Sequence, residues 1–450
     1  MPHKRTIFNI DDAHLFKKKA LTWATNTFEV VCCLDNNNYT EGLVQSEFEC
    51  LLAIGVQREI FNMSDKTSFE HLHHFHETNK DWLFGFCSYD LKNELEKLKS
   101  THSDKLDFPN MHFFKPQILL KISRTEVAFL INNSPVNAEK EDDYSSENIL
   151  QNIDNQHLTK HEYSNIRIKS RFKKKDYLQT VEQLKRHIQQ GDIFEINLCQ
   201  EFFINNFQTD PTALFIALND IAKAPFSAFY KLKDKYVMCA SPERFLKKTG
   251  QKLVSQPIKG TSKRGNTEGV DAALKTTLQN DPKNRAENIM IVDLVRNDLG
   301  KICDVGTVNV VELCSIYSFP TVHQMISTIE GMLSQNKHFT DALKQTFPMG
   351  SMTGAPKVRA MQLIEQYERT RRGVYSGAIG YITPEGDFDF NVVIRSLLYN
   401  QKKQYMSFQV GGAIVADSDA TAEYAECQLK SQNLRHVLIG KKTKYRDTSI

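Results

Sequence analysis

Residues Ser376–Val415 read SGAIGYITPEGDFDFNVVIRSLLYNQKKQYMSFQVGGAIV, and three runs within them decide the fold. SGAIGYI, FDFNVVIRSLLY and QYMSFQVGGAIV are apolar and β-branched, and the turn formers PEGD and NQKKQ separate them. Short strands joined by polar turns predict an antiparallel, hairpin-connected sheet. Further upstream, FSAFYKL (Phe226–Leu232) and YVMCASPERFL (Tyr236–Leu246) read as another pair of strands. Helical spacing lies between the strand groups. Tyr177, Val181, Leu184 and Ile188 recur at helical intervals before Gly191, and the pattern then turns strand-like in DIFEINLCQEFFI. A helix opens at DPKNRAENIMIVDLVRNDL with Asp281 as cap and Pro282 as first residue, and a last one runs from Asp419 to Gly440. Clustered hairpins with interposed helices predict an α+β fold. No GxGxxG follows a strand, so a dinucleotide domain has no support.

The bulk properties exclude several classes. A net charge of +3 over 450 residues, with the basic residues scattered, leaves no electrostatic footprint for nucleic acid. Nine cysteines without a CxxC predict neither a disulfide framework nor a zinc site, and fit a reducing cytoplasm. MPHKRTIFNIDD lacks an apolar targeting core, and no run of about 18 apolar residues would span a membrane. The most polar long run, Glu139–Asn155, suggests a loose division near residue 160, into an N-terminal region of residues 1–160 and a second region of residues 161–450.

Several side chains stand out against this background. Glu287 falls on the same helical stripe as Met290, Ile291 and Leu294, so an acid points toward the core, either as a buried ion pair or as a Mg²⁺ ligand. Glu423, Glu426 and Lys430 cluster beside the small face Ala422 and Ala425, as a surface pair or as groups a ligand can approach. Three glycine-bearing loops, PIKGT, GSMTGAPK and VGGAIV, permit close backbone approach, although Gly350, Gly354 and Lys357 miss the phosphate-loop spacing. His71, His73, His74 and His76 lack a second cluster at metal-site spacing and read as a solvated segment. His323, in an apolar strand, reads as a hydrogen-bonded core residue unless its neighbours make it part of a site.

Taken in order, SPERFL, QPIKGT, AENIMIVDLVRNDLGKI, TVHQMIST, GSMTGAPK, YSGAIGY, FNVVIRS, VGGAIVADSD and AEYAECQLK resemble the motif set of the chorismate-utilising enzymes. That family includes the anthranilate, aminodeoxychorismate, isochorismate and salicylate synthases. The likeness runs from about Tyr177 to Leu438, and DWLFGFCSYDLKN (Asp81–Asn93) resembles the amine-forming members. It implies a two-layered α/β sandwich of antiparallel sheets with a central active-site cleft. It also implies Glu287 and Glu426 as Mg²⁺ ligands with Glu423 in support. Lys430, Arg395, Tyr375, Gly260, Thr261 and the backbone of Gly411, Gly412 and Ala413 would hold the carboxylates of chorismate. His323 would lie near the ring, and Glu243 would protonate the departing C4 hydroxyl.

Two positions bear on the branch. The water-adding members carry a lysine where this chain is read to have Gln200, which cannot act as a base. At the second position, Lys259 of PIKGT matches the aminodeoxychorismate-forming branch, where anthranilate and isochorismate enzymes have alanine. A lysine whose pKa is pushed down by Mg²⁺ and neighbouring cations would attack C2, and ammonia would then enter at C4. The implied role lies in para-aminobenzoate and folate synthesis. No cysteine sits in a G-x-C-x-G elbow, so ammonia is expected from a separate glutamine amidotransferase subunit. Anthranilate synthesis and a non-catalytic chorismate-binding protein are the rival readings.

Overall fold

The computed structural model describes residues 4–39, 48–62, 67–132, 145–163, 166–320 and 322–440. Every strand pairing among them is antiparallel, and the sheet divides at the strand Met111–Ile122. Cys50–Asn62 runs along one edge of that strand, while Leu83–Cys87 and Glu126–Ile131 share the other. One arm continues from Cys50–Asn62 through Val30–Asp35, Phe226–Leu232, Lys235–Ser241, Ser396–Asn400 and Tyr405–Ile414 to Glu195–Ile204. The second arm continues from Leu83–Cys87 through Ala378–Ile382, Phe388–Asn391, Arg244–Thr249 and Lys252–Gln256 to Val322–Met332. Ile258–Lys263 and Asn309–Ser318 flank that last strand. The result is the expected α+β sandwich.

Alternation along the first arm explains why its strands read as continuous apolar runs. Val31 and Cys33 enter the core beneath the helices, whereas Val30 and Cys32 enter the core between the arms. Both faces are buried, so both sets of alternating side chains must be apolar. The inner core also receives Ile291, Val292, Val295 and Leu299 from the helix Pro282–Gly300, which brings that helix against the second arm.

Residues before and after 160 share this sheet: Val30–Asp35 pairs with Phe226–Leu232, and Leu83–Cys87 with Ala378–Ile382. Residues 139–144 of the polar run lie outside the described residues. The remainder forms the helix Ser146–Asp154, capped by Ser145 and burying Ile149 and Ile153. The last helix is in fact two, Ala420–Lys430 and Gln432–Ile439, meeting at Ser431. No described helix is long and apolar enough to cross a membrane, and all nine cysteines are buried and unpaired.

Candidate active site

Two strands that the sequence suggests are continuous are each broken at the same place. Lys235–Ser241 belongs to the first arm and Arg244–Thr249 to the second, with Pro242 and Glu243 between them. Proline removes the ladder donor there. Phe388–Asn391 belongs to the second arm and Ser396–Asn400 to the first, with residues 392–395 between them. The two crossings brace one another, since the Val392 amide donates to the Glu243 carbonyl at 3.0 Å and the Ala240 amide to the Arg395 carbonyl at 3.2 Å. Arg395 adopts a left-handed φ of 54° at its crossing. Glu243 and Arg395 thus sit where the chain passes between the arms, and both line a cavity of about 570 Å³. That volume suits a small-molecule ligand.

Lys259 enters the cavity from the strand Ile258–Lys263, which also contributes Gly260 and Thr261. Gly260 has φ +93°, and a Cβ there would lie 3.1 Å from the Asn284 side chain, so a larger residue would be strained. The Lys259 ammonium donates to Glu195 Oε1 at 2.6 Å, and both side chains are almost wholly buried. Burial lowers the lysine pKa, yet the Glu195, Glu287 and Glu243 carboxylates outweigh it and leave the pKa above the ordinary lysine value. This differs from the depressed lysine expected beside Mg²⁺ and other cations, because the chain's own groups facing it are anions. Glu243 is shifted the other way from a typical carboxylate: burial pushes it up to about 7, against the opposing pull of Ser351 and Lys259.

Acids and bases gather at the other end. Burial likewise raises Glu287 to about 7, with Lys259 the main group opposing the shift. Lys283 bridges Glu423 at 2.9 Å and Glu287 at 3.8 Å. Glu426 is paired with Lys430 at 2.6 Å, which holds its carboxyl below the usual range. Glu287 and Glu426 line the cavity, whereas Glu423 is buried behind them. A Cβ on Gly412 would lie within 3.4–3.8 Å of the Glu423, Lys430 and Glu426 head groups, so glycine leaves them room. The three carboxylates do not close to a common point, since the described residues hold a single set of three ligand atoms within 4.8 Å of one another and it lies elsewhere.

Groups whose chemistry suits an anion complete the wall. Arg395 donates to the Lys430 carbonyl at 3.2 Å and has no acidic partner among the described residues. Burial therefore pulls it below the ordinary arginine range, with Tyr375 and Glu426 opposing. A carboxylate ligand would relieve that penalty. Tyr375 is buried 3.6 Å from Cys199 Sγ, and its raised pKa keeps the phenol protonated as a donor. Lys430 also donates to the Gly411 carbonyl at 3.0 Å. Gly411 and Ala413 line the cavity from the strand Tyr405–Ile414. Glu195–Ile204 pairs one edge of that strand throughout, but Ser396–Asn400 pairs the other only as far as Ser407, which leaves backbone amides for a ligand.

Two sequence readings end elsewhere. His323 does not line the cavity; Val322 and Gln324 do, and strand alternation turns His323 to the opposite face. There its ring meets Ser318 Oγ at 2.8 Å and Asp271 at 3.0 Å. Gln200 is fully buried, accepts from Ser170 at 3.3 Å and is also absent from the cavity. The cavity-side residues of its strand are Asn197 and, against Lys259, Glu195, neither of them a lysine. Lys357, which the sequence already set apart from a phosphate loop, is paired with Asp298 and donates to the Thr346 carbonyl, so it ties the helices Pro282–Gly300 and Phe339–Thr346 together.

Comparison with known proteins places this geometry in context. A family model described as chorismate binding enzyme matches residues 31–436. Aminodeoxychorismate synthase component 1 of Klebsiella aerogenes is 41% identical over 265 residues, which cover 59% of this chain and 58% of that protein. The match thus spans under three fifths of that relative's length. Anthranilate synthase component 1 of Thermus thermophilus is 33% identical, covering 78% of this chain and 76% of the relative. The crystal structure of anthranilate synthase component I from Streptococcus pneumoniae TIGR4 superposes with a TM-score of 0.71 at 26% identity, over 87% of this chain and 93% of that one.

Proposed function

The chain belongs to the chorismate binding enzymes, and on that footing we propose that it is an aminodeoxychorismate synthase component I, converting chorismate and ammonia to 4-amino-4-deoxychorismate. The observation that carries this is Lys259, a buried amine opening into the cavity that also receives the raised carboxyl of Glu243. The 41% identity to a protein bearing that name points the same way.

The chemistry follows from the groups present. Lys259 passes its proton to Glu195, the carboxylate 2.6 Å away, as its nitrogen bonds to C2 of chorismate. The two ring double bonds shift, the C4–O bond breaks, and Glu243 delivers the proton that lets hydroxide leave as water. Ammonia then bonds to C4, the double bonds return, and the C2–N bond breaks to release Lys259. The proton lost by ammonia restores Glu243, and Glu195 returns its proton to Lys259. Arg395, Lys430 and the Tyr375 phenol hold the two carboxylates while this happens.

A divalent cation fits the acidic end: burial pushes Glu287 up to about 7, with the Glu195 and Glu423 carboxylates adding to the shift, and Lys283 reaches between it and Glu423 as an internal counter-ion. Mg²⁺ held by Glu287 and Glu426, with Glu423 in support, would neutralise a substrate carboxylate. Ammonia would come from a glutamine amidotransferase subunit.

The test is a product assay with chorismate and Mg²⁺. Ammonium at alkaline pH should yield 4-amino-4-deoxychorismate from this chain alone, and glutamine should do so only with an amidotransferase subunit added. Anthranilate as the product would replace the proposal with the rival activity, and no turnover would leave a binding protein. Arg395→Lys should raise KM for chorismate by about tenfold or more, because a point charge replaces a bidentate fork. An unchanged KM would make Arg395 structural.

A further inference from the structure

The histidine-rich helix Ser68–Asn79 takes no part in the cavity, but the fold gives it the second ligand source that its sequence lacks. His338, at the N-cap of the helix Phe339–Thr346, comes down on it, its ring stacked on that of His73 at 3.7 Å between centroids. Ligand atoms of His73, Glu77 and His338 lie within 4.8 Å of one another, the single set of three in the described residues to do so. The His338 Nδ1 meets Thr340 Oγ1 at 2.8 Å and the Thr340 amide at 3.4 Å; with its hydrogen on Nδ1, donated to that hydroxyl, Nε2 is a lone pair 3.4 Å from Glu77 Oε1.

An independent observation comes from His76, one turn along. Its Nε2 lies 3.0 Å from the Thr383 carbonyl, which can only accept, so Nε2 carries the hydrogen. In the neutral ring Nδ1 is then a lone pair. That atom is sealed from solvent without a hydrogen-bond partner, and it lies 3.6 Å from the same Glu77 oxygen. Two acceptors thus face each other, and the one ammonium on that Glu77 oxygen is the half-exposed Lys80 at 2.5 Å. A histidine whose other nitrogen is tied to a carbonyl is also how metal-ligating imidazoles are oriented.

We propose that His73, Glu77 and His338 bind one transition-metal dication of the zinc class, with His76 behind Glu77 as a further nitrogen donor. Imidazole nitrogens with one carboxylate select zinc, cobalt or nickel, whereas magnesium prefers oxygen. Zinc–ligand distances of about 2.0–2.2 Å require the donors to draw in from their present spacing, which rotation of the half-exposed His73 and Glu77 provides. Lys80, paired with Glu77 at 2.5 Å and half-exposed, would give way. The ion would clasp two helices from opposite ends of the chain.

The test uses the whole tag-free chain, titrated with Co²⁺ in excess Mg²⁺ and read by equilibrium dialysis and visible absorption. One equivalent should bind tightly with the d–d bands of a nitrogen-ligated ion. His73→Ala and His338→Asn should each weaken binding by at least about tenfold, the floor for loss of even an outer-sphere partner. Asparagine keeps the helix cap, so the fold is retained. Zn²⁺ should raise the Tm of the wild type but not of His338→Asn. His71→Ala/His74→Ala, altering the solvent-facing histidines of the same helix, should change nothing. Equal Co²⁺ binding by the wild type and His73→Ala/His338→Asn, or binding lost with His71 and His74, would overturn the proposal.

Discussion

Given chorismate and Mg²⁺ but no ammonia, the wild-type chain is expected to accumulate a covalent adduct on Lys259. In the proposed mechanism the first half-reaction proceeds on the lysine, Glu195 and Glu243 without ammonia, and the second lacks its nucleophile. Mass spectrometry of the quenched protein should find one chorismate less one water on the peptide bearing Lys259. Lys259→Ala should abolish the adduct and slow formation of the 4-amino product by at least about a thousandfold, a modest share of the effective concentration that a positioned nucleophile commands. KM should change little, since Arg395, Tyr375 and Lys430 stay in place. Wild-type turnover without any adduct, joined to an undiminished rate in Lys259→Ala, would reduce the lysine to an electrostatic role.

Glu243→Gln is the second large effect. An acid that protonates a hydroxide leaving group contributes about 10²–10⁴-fold, and an amide cannot substitute for it. The sign of the pH dependence follows from its environment. In the proposed reaction Glu243 must be protonated to act, and burial raises its pKa to about 7. Adduct formation should therefore hold up through mildly acid pH and fall as pH rises through about 7, where an ordinary glutamate would already have lost its proton. Glu243→Gln should show only the low residual rate and no fall near neutrality. Single-turnover measurement of adduct formation across pH checks both, and an unaltered alkaline limb in the variant would assign it to another group.

What the sequence disclosed, and what it withheld, divides by distance along the chain. PIKGT, SPERF and the capped helix at Asp281 are local patterns, and Lys259, Glu243 and Glu287 were legible from them. Glu195 was not: it meets Lys259 across a separation of 64 residues, and nothing near it signals a partner. Gln200 and Glu195 lie five positions apart on one strand, and an odd interval places side chains on opposite faces. Choosing between them required the register against Tyr405–Ile414. The same parity took His323 away from the cavity and brought Gln324 into it. The paired chain crossings at Glu243 and Arg395 were hidden because each looks like an uninterrupted strand until its neighbours are known.

The long-distance pairings of the sheet also dictate an order of assembly. Leu83–Cys87 finds its partner Ala378–Ile382 about 290 residues later, and Val30–Asp35 waits nearly 200 residues for Phe226–Leu232. Contacts so remote in sequence make folding slow, because loop closure must be paid before they form. On a ribosome Val30–Asp35 and Leu83–Cys87 can pair one edge early, with Cys50–Asn62 and Met111–Ile122, but emerge long before the other edge can be covered. Their apolar segments are therefore the part of the nascent chain most in need of a chaperone, and the reaction chamber takes shape only after the helix Ala420–Lys430 has docked.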